Sequence, residues 1–324
     1  LWKVVNTFTD ARRDGEAPQV EVALYEYGNN NLSVENQWVR QVQPLTRDLD
    51  SLSKSLFALK TNGGDEYCGA VIQRSLADLK WDESKDTYKV IFIAGNEPFT
   101  QGSVDARKAC RDAYAKGIIV NTIHCGTREE GMGGSWHDGA ALAGGKFMVI
   151  NQDRAVVSIP APQDKSIADL SQQLNKTYLG YGKDAAAGAA KQEEADDAAS
   201  SREKSGAPVE RAVAKASANY SNTTWDLVDA AKAKKVDVAK LPAAELPAAM
   251  RDLKPEERTA FVEKAAKERA AIQEKIVTLN REREAFVAEE MKKQAEQTGE
   301  KTLDQVIVEA TREQAVARGY KFNP

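Results

Sequence analysis

The chain has 324 residues, 42% of them hydrophobic and 29% charged, and a net charge of −4. That is enough apolar matter for one sizeable core and a second module, while so balanced a surface excludes a general attraction to nucleic-acid backbones. No apolar run reaches the length that a bilayer-spanning helix needs.

In chain order, Leu1, Val4, Val5 and Phe8 predict a helix to Arg13, ended by Asp14-Gly15. The pattern is already in mid-helix at Leu1, so upstream sequence is expected beyond this chain. Val20 to Tyr27 alternates as a strand, and after the Gly28-Asn-Asn-Asn31 turn Trp38 to Val42 is a short extended return. Asp48, Asp50 and Ser51 offer N-cap chemistry to a helix through Leu59, and Asp65-Glu66 open another through Leu79. Val90 to Ala94 and Ile118 to Ile123 are continuous apolar strands with a helix from Val104 to Lys116 between them. Gly131, Gly133 and Gly134 lack the Lys-Ser/Thr of a phosphate cradle and read as a flexible loop. Trp136 to Ala143 is a helical turn, Lys146 to Ile150 a last strand, and Ser166 to Tyr178 a helix.

Strands apolar on both faces, alternating with helices, predict an α/β fold with a parallel sheet covered on both sides. Ligand loops then lie at the carboxyl ends of the strands. Those loops are Thr61 to Gly69 and Gly95-Asn-Glu-Pro-Phe99, so the candidate binding residues are Asp65, Glu66, Asn96 and Glu97. A plainer account has the two acids serving their helix dipole and Asn96 satisfying its own turn.

Residues 183–206 are rich in Ala, Glu and Asp without a large apolar anchor and read as a linker between an α/β domain at 1–182 and an all-α region at 207–324. In that region Val209 to Lys235 is helical, with Val213, Tyr220, Trp225, Leu227 and Val228 as its packing face. Pro242 and Pro247 break the pattern, and Lys254-Pro-Glu-Glu257 restarts it. Phe261, Ala265, Ile272, Ile276, Leu279 and Phe286 recur at helical steps, but Arg283 and Glu290 interrupt the seam. The interruption predicts a helical hairpin or small bundle rather than a long coiled-coil rod. Thr302 to Tyr320 supplies a last amphipathic helix with Leu303, Val306, Ile307 and Ala310 on one side. The whole region reads as a self-packed spacer, against the alternative of a partner-binding or oligomerising helix pair.

Cys68 and Cys125 both fall at the carboxyl edge and could form a disulfide, which would imply an oxidising compartment. A zinc site adding His124 or His137, or free thiols, are the other options, and Cys110 reads as a core thiol. Ser135, His137 and Asp138 lie too close together in sequence for a catalytic triad and suit a helix cap better.

Val22-Ala-Leu-Tyr-Glu-Tyr27, Gly63-Gly-Asp-Glu66, Val90-Ile-Phe-Ile-Ala-Gly-Asn96, Ile119-Val-Asn-Thr-Ile-His-Cys-Gly126 and Ala143-Gly-Gly-Lys-Phe147, in this order, resemble a von Willebrand factor A (vWA) domain over roughly the first 180 residues. The chain is most similar to the bacterial branch with the Glu-Tyr-Cys-Gly69 and Gly-Asn-Glu-Pro-Phe99 signatures. The resemblance implies a three-layer, Rossmann-like fold with a mostly parallel sheet, N-terminally truncated so that its first strand is missing, and followed by a helical C-terminal extension. It also implies a degenerate metal-ion-dependent adhesion site. The Asp-x-Ser-x-Ser loop of that site would precede Leu1, Glu66 stands where a Thr is usual, and Asn96 stands where an Asp is usual. The exchange of a hydroxyl for a carboxylate and of a carboxylate for an amide preserves the summed charge. Glu66 and Asn96 would thus help to hold Mg²⁺ or Mn²⁺ in the intact protein, with no metal expected in the truncated chain. The function implied is that of a non-enzymatic interaction or adhesion module for a protein ligand, not nucleic acid, in a secreted, periplasmic or envelope setting. The alternative from another class is a metal- or thiol-dependent enzyme using Cys68, Cys125, His124, His137 and Glu66.

Overall fold

The computed structural model describes residues 2–150, 158–298 and 303–322. Leu1 and Thr302, where two expected helices begin, lie outside them. Helix α1 (Trp2–Thr7) ends well short of Arg13, and Ala11–Arg12 form a short strand, β1. Strands β2 (Val22–Tyr27) and β3 (Val39–Thr46) make an antiparallel hairpin, its return longer than expected. Helix α2 (Leu49–Phe57) starts at Asp48, whose carboxylate accepts from the Ser51 N–H at 2.9 Å. Helix α3 (Cys68–Asp78), strand β4 (Lys89–Gly95), helix α4 (Ala106–Ala115) and strand β5 (Ile118–Cys125) follow. The expected flexible loop is a helix, α5 (Arg128–Gly133), because Thr127 and Glu130 close a reciprocal capping box around its first turn. Helix α6 (Trp136–Leu142) leads to β6 (Phe147–Ile150), and β4, β5 and β6 form a parallel sheet in that order.

The mostly parallel single sheet is therefore divided. Among the described residues the β2–β3 hairpin makes no ladder with β4, and the Tyr27 hydroxyl links the two by donating to the Ala94 carbonyl at 2.6 Å. One face of the parallel sheet packs Ile93, Ile118 and Val120 against Cys68, Ile72, Ala109, Ala113 and Trp136 of α3, α4 and α6. That is the main core.

The helical half consists of α7 (Asp164–Asn175), α8 (Ala185–Ser200), α9 (Ala207–Ala216), α10 (Leu227–Lys232), α11 (Pro255–Thr298) and α12 (Leu303–Val316), followed by β7 (Lys321–Phe322), which pairs antiparallel with β1. Three expectations are corrected here. The linker is helix α8, which buries Gly188, Gln192, Ala195 and Ala199. Small residues let it lie close, for a Cβ at Gly188 would come within 2.2 Å of the Trp225 ring. Within the region expected to form a helical hairpin or small bundle, the seam is not interrupted: α11 is one continuous helix of 44 residues, and its Ile272 and Ile276 pack with Ile167 and Leu174 of α7 and Val209 and Val213 of α9. Arg283 is buried and its guanidinium donates to Asp164 at 2.6 Å, so an ion pair takes the place of an apolar contact. Phe261 is 36% exposed and Val262 is buried in its stead.

The spacer reading fails as well. Helix α12 covers the second face of the parallel sheet, where Ala310, Val306 and Ile307 meet Phe92, Ile123 and Met148. The Asn121 and Gln314 amides donate to each other at 3.0 and 2.8 Å, and the Tyr88 hydroxyl donates to Gln314 at 2.8 Å. Elsewhere buried ions tie the helices together. Arg211 of α9 bridges Asp50 of α2 and Asp196 of α8, Lys215 joins Asp196 at 2.8 Å, and Arg269 of α11 holds Asp226 at 2.7 Å. Desolvation offsets most of what such buried pairs gain, but an unpaired member would be costly.

Candidate functional site

The two loops singled out by the sequence meet at the carboxyl rim of the sheet. Glu66 does not sit in the first turn of α3, which starts after Tyr67 without a side-chain cap. Instead its Oε2 accepts from the backbone N–H groups of Asn96, at 2.9 Å, and Glu97, at 3.3 Å. Glu97 answers in kind: its Oε2 accepts from the Glu66 N–H at 3.3 Å. The loops before α3 and after β4 are thereby fastened reciprocally, each carboxylate satisfying the other loop's backbone.

Backbone approach makes this possible. A Cβ on Gly95 would stand 2.2 Å from Glu66 Oε2 and 2.8 Å from the Tyr27 hydroxyl. A side chain at Gly28, whose φ is +71°, would meet the Glu66 Cγ at 2.7 Å. Beneath the loops the Trp136 indole donates to the Glu97 carbonyl at 2.8 Å, and the Phe99 N–H donates to the Gly134 carbonyl at 2.8 Å. Asp65 is exposed and accepts from Gln101 at 3.1 Å and from the Tyr67 hydroxyl at 3.3 Å. The Asn96 side chain is exposed, so its part in the fastening is played by its backbone. Burial raises the Glu66 carboxyl above the usual carboxylate range against the pull of its two amide donors, and Glu97 adds to the rise. Among the described residues no Lys or Arg pairs with Asp65, Glu66 or Glu97.

These groups do not fit a divalent cation. Glu66 Oε2 already faces two N–H donors, Asn96 presents its backbone N–H rather than its amide oxygen, and among the described residues no three His, Cys, Asp or Glu side chains converge to hold a metal.

Of the residues of the enzyme alternative, Glu66, Cys68 and Cys125 gather around the Tyr27 hydroxyl, whereas the His124 and His137 rings lie against Trp136 and Phe147. All three cysteines are free, which corrects the disulfide between Cys68 and Cys125. The Tyr27 hydroxyl lies 3.6 Å from Cys68 Sγ, and burial pushes that thiol well above its ordinary value. Cys125, half-buried beside the Gly95 backbone and within the field of Glu66, is likewise raised by burial. Cys110 is buried in the main core, as expected, and is pushed up to about 12. His124, next to Cys125 on β5, points to the opposite face, where its ring lies 5.7 Å from that of Trp136. His137 is exposed on α6, its ring 6.0 Å from that of Phe147. Ser135 caps α6 only in position: its hydroxyl accepts from Arg107 at 3.0 Å and makes no cap bond.

Sequence reasoning missed Tyr27, Gly95, Trp136 and the Thr127–Glu130 box. The Thr-x-x-Glu spacing announced the last of these. Tyr27 and Gly95 act through approach distances, which no local pattern carries.

No protein-family model and no curated relative matches the chain. Among solved structures, the crystal structure of the SpRpn10 VWA domain aligns with 46% of this chain and 71% of its own, at 17% identity and a TM-score of 0.34. That is a coarse likeness of chain path.

Proposed function

We propose that the α/β half is a vWA-type, non-enzymatic binding module that docks a protein ligand at its carboxyl rim through Asp65, Glu66, Asn96 and Glu97. The observation that carries this reading is the reciprocal fastening of Glu66 and Glu97 onto each other's backbone. A docking surface gains affinity when its backbone is ordered before contact, because the ordering cost is then not charged to binding. In this reading Glu66 and Glu97 set the two loops, and the exposed Asp65 and Asn96 side chains meet the ligand. Three acids without a cation favour a ligand segment that carries Lys or Arg. Docking is direct in this reading, since Glu66 and Glu97 are engaged by backbone amides and the exposed Asp65 and Asn96 remain to meet the ligand.

Photo-crosslinking residues placed at Asn96 and Thr100, in cells that make the protein, should give adducts. The same residues at Ser84 and Lys85, on the opposite edge of the sheet, should not. Adducts from the Ser84 and Lys85 pair alone would overturn the reading.

A further inference from the structure

His124 is only 3% exposed, and among the described residues neither of its ring nitrogens has a hydrogen-bond partner. A buried imidazole without partners is unusual, because its donor and its acceptor both lose water without compensation. It stands at the end of β5, in register with Gly95 of β4. From α6 it meets Trp136, and Phe147 of β6 lies alongside, both uncharged. From α5 it meets Glu130, whose charge favours the protonated ring against the effect of burial, which holds the ring neutral to below the ordinary imidazole range. Arg128 and His137 lie against the Phe147 ring, at 5.4 and 6.0 Å from its centre. The Glu66 carboxylate, from the loop before α3, reaches over Gly95 to the same end of the sheet.

Two observations join His124 to Glu130. Glu130 Oε2 accepts from the Thr127 N–H at 2.8 Å and from the Thr127 hydroxyl at 2.9 Å, which closes the start of α5. A Cβ on Gly126 would lie 2.7 Å from His124 Nε2 and 2.9 Å from the same Glu130 Oε2. Glycine at 126 thus leaves open the space that the two groups share.

We propose that His124 and Glu130 form an acid-operated catch: a solvent proton taken up on His124 Nε2 draws the Glu130 carboxylate off the Thr127 N–H and hydroxyl and frees the start of α5. The neutral ring leaves Glu130 to its cap. The imidazolium has N–H donors on both nitrogens, and Glu130 is the carboxylate whose field reaches it. The 126–135 segment, which supports Phe99 through Gly134, then loosens under acid. The catch is internal to the chain and holds whether or not the rim docks a protein.

The test is a pH titration of the full chain by NMR, following the His124 ring, the Thr127 amide and the Glu130 carboxyl carbon. All three should shift with one midpoint on the acid side of the ordinary imidazole value. His124→Phe and Gly126→Ala should each abolish the Thr127 step. A Thr127 amide that stays still through the His124 midpoint, or that titrates unchanged in either variant, would overturn the catch. The native chain alone decides the matter if a variant does not fold.

Discussion

At the residue scale the rim depends on a hydrogen atom in place of a methyl group. Gly95→Ala would drive Cβ into the Glu66 carboxylate, the Tyr27 hydroxyl and the fully buried Trp136 ring. The variant should lose about 1–3 kcal/mol, the usual cost of overpacking, in denaturant unfolding. It should also shift the Asn96 and Glu97 amide resonances; native stability with unmoved amides would contradict the fastening. His124 makes stability depend on pH in a definite sense. Its folded value lies below the unfolded one, so folding favours the neutral ring. Its contribution is complete above about pH 6.5, where the unfolded imidazole is also neutral, and is lost as pH falls through that value and then through the depressed folded one. Denaturation midpoints should therefore drop from pH 7.5 to pH 5.5 in the native chain, and drop less in His124→Phe. Equal drops would remove His124 from the account.

At the element scale the Asn121–Gln314 pair is the polar fastening of α12 to the sheet. Gln314→Leu strands the Asn121 amide and the Tyr88 hydroxyl and should cost about 1–3 kcal/mol, whereas adding Asn121→Leu should recover only the share due to the Asn121 amide, because the Tyr88 hydroxyl and the Lys146 N–H still lack their acceptors. Additive losses in the double variant would refute the coupling. The elements show what periodicity can and cannot reveal. Continuous apolar runs announced β4 and β5, and the Pro255 start of α11 was marked by its own chemistry. Helix α8 was invisible because its buried side is Gly188, Ala195 and Ala199, residues that pack by closeness rather than bulk. Arg283 read as an interruption because sequence does not show its partner, Asp164, more than a hundred residues away. The Asn96 loop was legible as a strand end, and the Glu66 loop as a Gly-rich acidic lead into α3. Their fastening to each other was not, since a carboxylate reaching a distant backbone amide leaves no trace in spacing.

At the scale of the whole molecule the α/β and helical halves share a face. Helix α12 returns from the far side of α11 to cover Phe92, Ile123 and Met148, and β7 then pairs with β1. A chain ending at residue 298 should expose that apolar face, bind a hydrophobic dye and unfold at lower denaturant. An unchanged midpoint would show that the tail is dispensable.

The sealed ion pairs carry one more consequence. Asp50, Asp226 and Lys215 lie beyond the reach of mobile counter-ions, so added electrolyte screens them little. The acids of the rim stand in or near solvent and are screened readily. Sodium chloride should therefore weaken recognition of a basic peptide at the rim while leaving the helical half's resistance to urea nearly unchanged.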